Sequence, residues 1–185
     1  MDLPGIKKNI VFSLFFILTP ALVSGAIYLL FRTSDTVIYQ IYEVVFGSNS
    51  IDHLRETVQN TLITIPSWFI YSFPGGLWVF AFANFCFLFL NDKTKAYYKG
   101  TLLTLFGIVT SLELLQLLHY TDGRFDFLDI ACYLIATITS AFIGVARIQK
   151  IKYQPIFKND KKPFFALSIT VCLFCAGIYL ADVLS

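Results

Sequence analysis

The sequence predicts an all-α integral membrane protein, a single domain over residues 1–185 that forms a multi-pass bundle of about five transmembrane helices. Of its residues, 57% are hydrophobic and only 14% are charged, whereas soluble proteins average about 25% charged residues. So few charges do not cover a soluble surface. The apolar residues also form runs long enough to cross a bilayer. Together these observations exclude a soluble enzyme, a disordered chain and a nucleic-acid-binding protein.

The predicted spans follow from the length of the apolar runs, since a transmembrane helix needs about 20 mostly apolar residues. Four runs reach this length directly. A fifth does so only across the sequence Pro74-Gly75-Gly76, a break that membrane helices tolerate where neighbouring helices satisfy the freed backbone groups. The five predicted spans are residues 10–31, 67–90, 101–118, 125–146 and 164–184.

The distribution of lysine and arginine predicts the orientation, because short cytoplasmic loops carry an excess of these residues. With five spans and the amino terminus inside, eleven of the 14 Lys and Arg residues lie on the cytoplasmic side. Only Arg32, Arg55 and Arg124 lie outside. Four spans would place the basic segment 147–162 outside, so we predict five spans with the carboxyl terminus outside. The expected location is a cytoplasmic membrane.

The segment between the first two spans is predicted to contain short helices on the outer side. Ser34 or Asp35 is a candidate cap for the first of them. The second carries an apolar stripe at three- and four-residue spacing and polar residues on its opposite face. We interpret it as an amphipathic helix at the interface that covers the bundle, with a partner-binding helix as the alternative. The stripe is Ile51, Leu54, Val58, Leu62 and Ile65, and the polar residues are Asp52, Arg55, Glu56, Gln59 and Asn60.

Polar residues inside the third and fourth spans form the candidate functional site, because ionisable groups in a membrane are costly and point to function. Glu113, Gln116 and Tyr120 share one face of the third span, and Asp126, Asp129 and Tyr133 repeat the same spacing in the fourth. The connector of six residues makes the two helices antiparallel neighbours. The two polar faces therefore meet on the extracytoplasmic side.

Charge in this hairpin is unbalanced, since Arg124 is its one cation against Glu113, Asp126 and Asp129. A metal, a proton, a cationic ligand or water would meet the surplus negative charge. Structural roles remain open alternatives. Asp126 is equally well placed to cap the fourth helix, and Glu113 and Gln116 are able to form interhelical hydrogen bonds to Arg124 or Tyr133. The candidate site residues are Glu113, Gln116, Arg124, Asp126 and Asp129.

The four cysteines all fall inside predicted spans. The pair Cys172 and Cys175 has the spacing of redox or zinc sites, but no Lys, Arg or His lies nearby in sequence to stabilise a thiolate. We interpret Cys86, Cys132 and this pair as small packing residues. No metal or cofactor is assigned.

The sequence resembles the VanZ-like family of bacterial membrane proteins over residues 66–146. The likeness lies in Glu113-Leu114-Leu115-Gln116, a short polar turn with Arg124, and Asp126 and Asp129 at the start of the next span. The segment from Ser72 to Trp78 is similar to the Pro and Leu-Trp element that precedes this signature. Many members carry Asn and Gly where this chain has Tyr133 and Ala136, so this chain is a divergent member. The family takes its name from a member associated with teicoplanin resistance, and the resemblance implies an envelope-facing role without specifying a reaction.

Three functions are compatible with these residues. The first is a binding or accessory protein whose polar pocket holds an amphiphilic or glycan-bearing envelope ligand, with membrane lipids as further partners. The second is an enzyme that uses paired carboxylates or a divalent metal on an envelope substrate. The third is a small-molecule or proton-coupled transporter, which the absence of two visible inverted halves disfavours. Catalytic residues, the substrate and the oligomeric state are not specified by the sequence.

Overall fold

A computed structural model describes residues 11–32, 37–47, 51–61, 65–87, 95–121 and 124–150. These residues form an all-helical bundle. The fifth predicted span, residues 164–184, lies outside the described residues, as do the candidate caps Ser34 and Asp35 and the pair Cys172 and Cys175. The helices are α1 (Val11–Phe31), α2 (Val37–Phe46), α3 (Asp52–Thr61), α4 (Ser67–Tyr71), α5 (Phe73–Phe87), α6 (Lys95–Leu117) and α7 (Phe127–Lys150).

Four helical segments are long and apolar enough to cross a membrane: Val11–Phe31, Ser67–Phe87, Tyr98–Leu117 and Phe127–Ala146. They agree closely with the first four predicted spans. Large apolar side chains on three of these segments point away from the bundle, with Phe15 67%, Leu103 71% and Phe142 72% exposed. Such surfaces are unfavourable in water and are expected where lipid surrounds the protein. The protein is therefore a multi-pass membrane protein.

The segment that was hardest to recognise from sequence, α4 and α5, forms the centre of the bundle. Half of the residues in the most apolar 18-residue stretch of this segment are buried, compared with 17–22% in the other three segments. The helix α5 packs extensively against both α7 and α1. Its buried residues include Gly76, Ala81 and Ala83 beside Val79 and Phe82. Small residues let helix backbones approach closely in a membrane, where lipid provides no hydrophobic driving force for association.

The sequence Pro74-Gly75-Gly76 does not break this segment. Ser72 joins α4 to α5 in a helical conformation (φ −92°, ψ −42°) and donates its backbone N–H to Trp68. Pro74 is the second residue of α5, and the first turn of a helix tolerates proline because its N–H groups lack intrahelical partners. The helix therefore continues in the same direction through Pro74-Gly75-Gly76, as the prediction of a span over residues 67–90 requires.

Gly76 sets the distance between α5 and α7. A Cβ atom at this position would lie 2.9 Å from Cβ of Cys132 and 3.2 Å from its backbone oxygen. On α7, residues Cys132, Ala136 and Ser140 follow at intervals of four, so small side chains lie along one face. Ala136 and Ser140 are buried. The two backbones therefore meet across small residues on both helices.

Hydrogen bonds fix the register of α5, α6 and α7 deeper in the bundle. Asn84, fully buried on α5, donates through Nδ2 to Oγ of Ser140 at 3.1 Å. Tyr98 at the start of α6 donates to the backbone oxygen of the same serine at 2.9 Å. Its ring lies against Gly144, where a Cβ atom would be 2.6 Å from the ring. Ser140 thus joins three helices, and Asn84 acts as an interhelical hydrogen-bonding residue.

We predict that Gly76→Ala lowers the free energy of unfolding by about 1 kcal/mol, because overpacking against Cys132 costs about 1–3 kcal/mol and the helical preference of alanine returns about 0.5–1 kcal/mol. The matched control is Gly107→Ala on α6, where an added Cβ meets nothing within 4 Å. The control should be stabilised slightly. Denaturation of the purified protein in detergent measures both. Equal stabilisation of both variants would contradict the close contact of α5 and α7.

Candidate functional site

Glu113 is the centre of the candidate site. It lies on α6, four residues before the helix ends at Leu117, which places it about 6 Å from that end. Its side chain is 5% exposed. Among the residues that the structure describes, it is the only buried charged side chain. A buried carboxylate is costly unless polar groups contact it, so its surroundings carry the chemistry of the site.

Tyr133 on α7 contacts this carboxylate directly. Its hydroxyl donates a hydrogen bond of 3.2 Å to Oε1 of Glu113. The ring lies against Gly75 on α5, where an added Cβ would come within 3.0 Å of a ring carbon. Any larger residue at position 75 would displace the ring. The Glu113–Tyr133 pair therefore depends on all three helices.

Asp129 and Gln116 lie beside this pair. Asp129 precedes Tyr133 by one helical turn on the same face of α7, is half-buried, and is close enough to Tyr133 for electrostatic interaction. Gln116 follows Glu113 by three residues on α6 and is also half-buried. The structure thus groups Glu113, Gln116, Asp129 and Tyr133 at one end of the bundle.

Asp126 caps α7. Its Oδ1 accepts the backbone N–H of Leu128 at 2.9 Å, and α7 begins at Phe127. A side-chain oxygen that accepts an N–H of the first turn is the defining contact of an N-cap. Its backbone oxygen also accepts the N–H of Asp129 at 3.1 Å. Of the two roles that the sequence left open for Asp126, the structure shows the capping role.

Two residues of the connector differ in placement from the sequence expectation. Arg124 is exposed, so of the two partners considered for Glu113, Arg124 and Tyr133, the structure places Tyr133 against the carboxylate. Tyr120 is 78% exposed and does not share the face of Glu113. The reason is that α6 ends at Leu117, before the helical face reaches Tyr120.

The end of α6 is a Schellman motif, in which a residue in the left-handed conformation lets two N–H groups bond back to the last turn. His119 has φ 58° and donates its N–H to the oxygen of Gln116, while Tyr120 donates to that of Leu115. His119 is exposed. In the structure, its role is to form the turn that ends α6.

The donor groups of the described residues do not form a metal site by themselves. No group of three or more His, Cys, Asp or Glu in this part of the chain is arranged to hold a metal ion. Cys86 is buried and Cys132 half-buried, and both are free thiols. Both also lie in the packed helix interior, in agreement with a packing role.

A second polar cluster, which the sequence analysis did not identify, lies at the carboxyl end of α1. We call it the arginine cluster. Arg32 donates through Nη2 to the backbone oxygen of Tyr71 at 2.9 Å. Its guanidinium carbon lies 4.1 Å from the ring centre of Tyr28 and 5.4 Å from that of Tyr71. Arg55 on α3 lies 4.8 Å from the ring centre of Tyr39. Both cations therefore lie over aromatic faces, an attractive arrangement.

The helix α3 covers the carboxyl end of α1, and residues of this cluster form the contact. Arg55 donates through Nη2 to the backbone oxygen of Arg32, and Gln59 donates to that of Leu30 at 2.8 Å. These oxygens have no partner within the helix, and a cation stabilises the negative end of its dipole. The predicted division of α3 into an apolar face that packs and a polar face that is solvated is therefore wrong. Arg55 and Gln59 of the polar face contact α1, whereas Leu54 of the apolar stripe is 53% exposed.

The arginine cluster and the Glu113–Tyr133 pair lie near each other. Ser24, one turn before Tyr28 on α1, donates to the backbone oxygen of Pro74 at 3.0 Å, and the next residue, Gly75, lies against the ring of Tyr133. The end of α1, the end of α6 and the start of α7 are therefore on the same side of the bundle. A sequence signal for the second cluster did exist, since Arg32 and Arg55 are two of only three basic residues predicted to lie outside.

Comparison with protein family models, curated proteins and solved structures gives no match for this chain. The likeness to the VanZ-like family therefore depends on the quoted motif residues.

We predict that the hydroxyl of Tyr39 in the folded protein loses its proton at a higher pH than that of an ordinary tyrosine. Its hydroxyl donates to Oδ1 of Asp52 at 2.7 Å, and this hydrogen bond, burial and the negative charge of Asp52 raise its pKa from 10.0 to about 12. Because the folded pKa lies above the unfolded one, this contribution to stability is complete below about pH 10. It is lost as the pH rises through about 12.

Ultraviolet titration of tyrosinate tests this prediction. At pH 11, Asp52→Ala should show one more ionised tyrosine than the unsubstituted protein, because Tyr39 then titrates nearer its ordinary pKa. In a Tyr39→Phe background, the same substitution should add none. An equal number of tyrosinates with and without Asp52 would show that this hydrogen bond does not hold the proton on Tyr39.

Proposed function

We propose that this chain is a VanZ-like protein of a bacterial cytoplasmic membrane with five spans, its amino terminus inside and its carboxyl terminus outside. The distribution of Lys and Arg supports this topology. The four membrane-length helices supply four of the spans, and residues 164–184 supply the fifth. In this orientation α1 and α6 run outward, so Arg32 and Glu113 both belong to the extracytoplasmic half.

Within this topology, we propose that the protein binds the polar head group of an envelope amphiphile, as a binding or accessory protein of the cell envelope. The observation that carries this proposal is the buried carboxylate of Glu113, held by Tyr133 near the outer end of α6. A purely packing role does not require a carboxylate there. Because burial of a charged group is costly in a membrane, its retention favours a function.

The chemistry of the site indicates what it would bind. Glu113 and Asp129 accept hydrogen bonds, and the hydroxyl of Tyr133 both donates and accepts. Such groups complement ammonium groups and sugar hydroxyls. They repel phosphate, which carries the same sign of charge as the carboxylates. The proposed ligand part is therefore an amine or a glycan on a lipid.

Mass spectrometry of lipids that copurify with the full-length protein tests this function. Glu113→Gln keeps the shape of the side chain but removes its charge, and we expect at least a fivefold loss of bound amine- or sugar-bearing lipid. Asp126→Asn is the matched control, because it also removes one carboxylate while asparagine caps a helix as well as aspartate does. Its lipid content should be unchanged.

Two outcomes would contradict the proposal. The first is an unchanged lipid content in Glu113→Gln. The second is an equal loss in the Glu113 and Asp126 variants, which would indicate a general response to the net charge of the protein.

A further inference from the structure

The arginine cluster lies where the polar groups of lipids are expected. Arg32 directly follows the apolar segment Val11–Phe31, whose 21 residues match the thickness of the hydrocarbon layer. Tyr71, which contacts Arg32, is 52% exposed, and Trp68 in the same short helix is 44% exposed. Tyrosine and tryptophan are enriched at membrane interfaces. Arg32 therefore lies at the level of lipid phosphates.

Both guanidinium groups in the cluster are held in fixed positions. Arg32 is fixed by the backbone oxygen of Tyr71 and by the rings of Tyr28 and Tyr71. Arg55 is fixed by the backbone oxygen of Arg32 and the ring of Tyr39. A contact between Arg55 and the backbone of Arg32 links the two side chains into one unit. Such preorganisation lowers the entropy that binding costs.

Each guanidinium nevertheless has a donor without an acceptor. Nε of Arg32 and Nη1 of Arg55 are shielded from solvent and have no hydrogen-bond partner among the described residues. Asp52, three residues before Arg55 on α3, instead accepts the hydroxyl of Tyr39. Shielded donors on charged groups are costly when they lack an acceptor. A bound anion would supply acceptors to both of these adjacent cations.

We propose that Arg32 and Arg55 together bind the phosphate group of a membrane amphiphile. The planar guanidinium fork matches the oxygens of phosphate, and the weak hydration of arginine favours such pairing at an interface. The position at the end of an apolar span favours a lipid as the source of the phosphate.

This inference deepens the proposed function and depends on it in one respect, namely that both sites bind the same molecule. Tyr28 lies beneath Arg32. One turn earlier on α1, Ser24 donates to the backbone oxygen of Pro74, and the next residue, Gly75, lies against the ring of Tyr133, the partner of Glu113. A head group that carries a phosphate and an amine or sugar would place its phosphate at the arginine cluster. Its other polar groups would then reach Glu113. The ligand class is thus a phosphate-bearing lipid with an additional amine or hydroxyl group.

Binding measurements on the full-length protein in an uncharged detergent without phosphate test the inference. The probes are dihexanoyl phosphatidic acid, dihexanoylglycerol, which lacks the phosphate, and inorganic phosphate. We expect phosphatidic acid to bind at least tenfold more tightly than either other probe. Arg32→Gln and Arg55→Gln should each weaken this binding at least tenfold. Arg124→Gln, the matched control at an exposed arginine, should change it less than twofold.

Variants that keep the charge separate binding from folding. Arg32→Lys and Arg55→Lys retain a cation but lose the planar fork, so we expect weaker binding of phosphatidic acid at an unchanged melting temperature. The inference would be overturned by equal binding of dihexanoylglycerol, or by an equal loss in Arg124→Gln. Binding of phosphatidic acid at full strength by folded Arg32 and Arg55 variants would also overturn it. Inorganic phosphate that binds as tightly as the lipid would overturn the assignment to a lipid.

The same assay separates this inference from the proposed function. Phosphatidic acid has no amine or sugar, so Glu113→Gln should not weaken its binding. In one outcome, the arginine variants no longer bind phosphatidic acid, but Glu113→Gln keeps its amine- and sugar-bearing lipids. This result would support the phosphate site and contradict the proposed function of Glu113. In the opposite outcome, the arginine variants bind phosphatidic acid normally and Glu113→Gln loses its lipids, which would contradict the phosphate site alone.

Discussion

The close approach of α5 and α7 is the constraint on which the rest of the structure depends. Gly75 leaves room for the ring of Tyr133, and Gly76 brings the backbone of α5 against Cys132. A side chain at position 75 would displace this ring and move its hydroxyl away from Glu113. The carboxylate would then lose a polar contact that makes its burial tolerable. Helix packing and the chemistry of the site are therefore consequences of the same two glycines.

The two polar clusters have opposite charge and lie on the same side of the bundle. The Glu113–Tyr133 pair is acidic and is formed by the three helices α5, α6 and α7. The arginine cluster is basic and forms where α3 covers the end of α1. Helix α1 contacts both, since Tyr28 lies beneath Arg32 and Ser24 bonds to Pro74, next to the Gly75 that contacts Tyr133. An acidic and a basic site side by side complement a head group that carries charges of both signs, as many membrane lipids do.

The sequence predicts the first four spans well, because the length of an apolar run reports directly on its ability to cross a bilayer. It does not show that α5 is central, since apolar content does not say which helix has the most neighbours. The periodicity also identifies Glu113, Asp129 and Tyr133, and a hydrogen bond from Tyr133 was one of the two interhelical contacts considered for Glu113. The choice between Tyr133 and Arg124 depends on tertiary packing. Tyr120 was placed on a helical face that ends earlier. Side-chain contacts such as those of Arg32 depend on tertiary packing and leave no periodic signal.

A double-mutant cycle of Glu113→Gln and Tyr133→Phe tests the central claim most directly, because it isolates the energy of this one contact. Unfolding free energies of the four proteins in detergent supply the cycle. We predict a coupling of roughly 1 kcal/mol, within the range of polar contacts between membrane helices. Additive effects, with a coupling below about 0.3 kcal/mol, would show that Tyr133 does not hold the buried carboxylate.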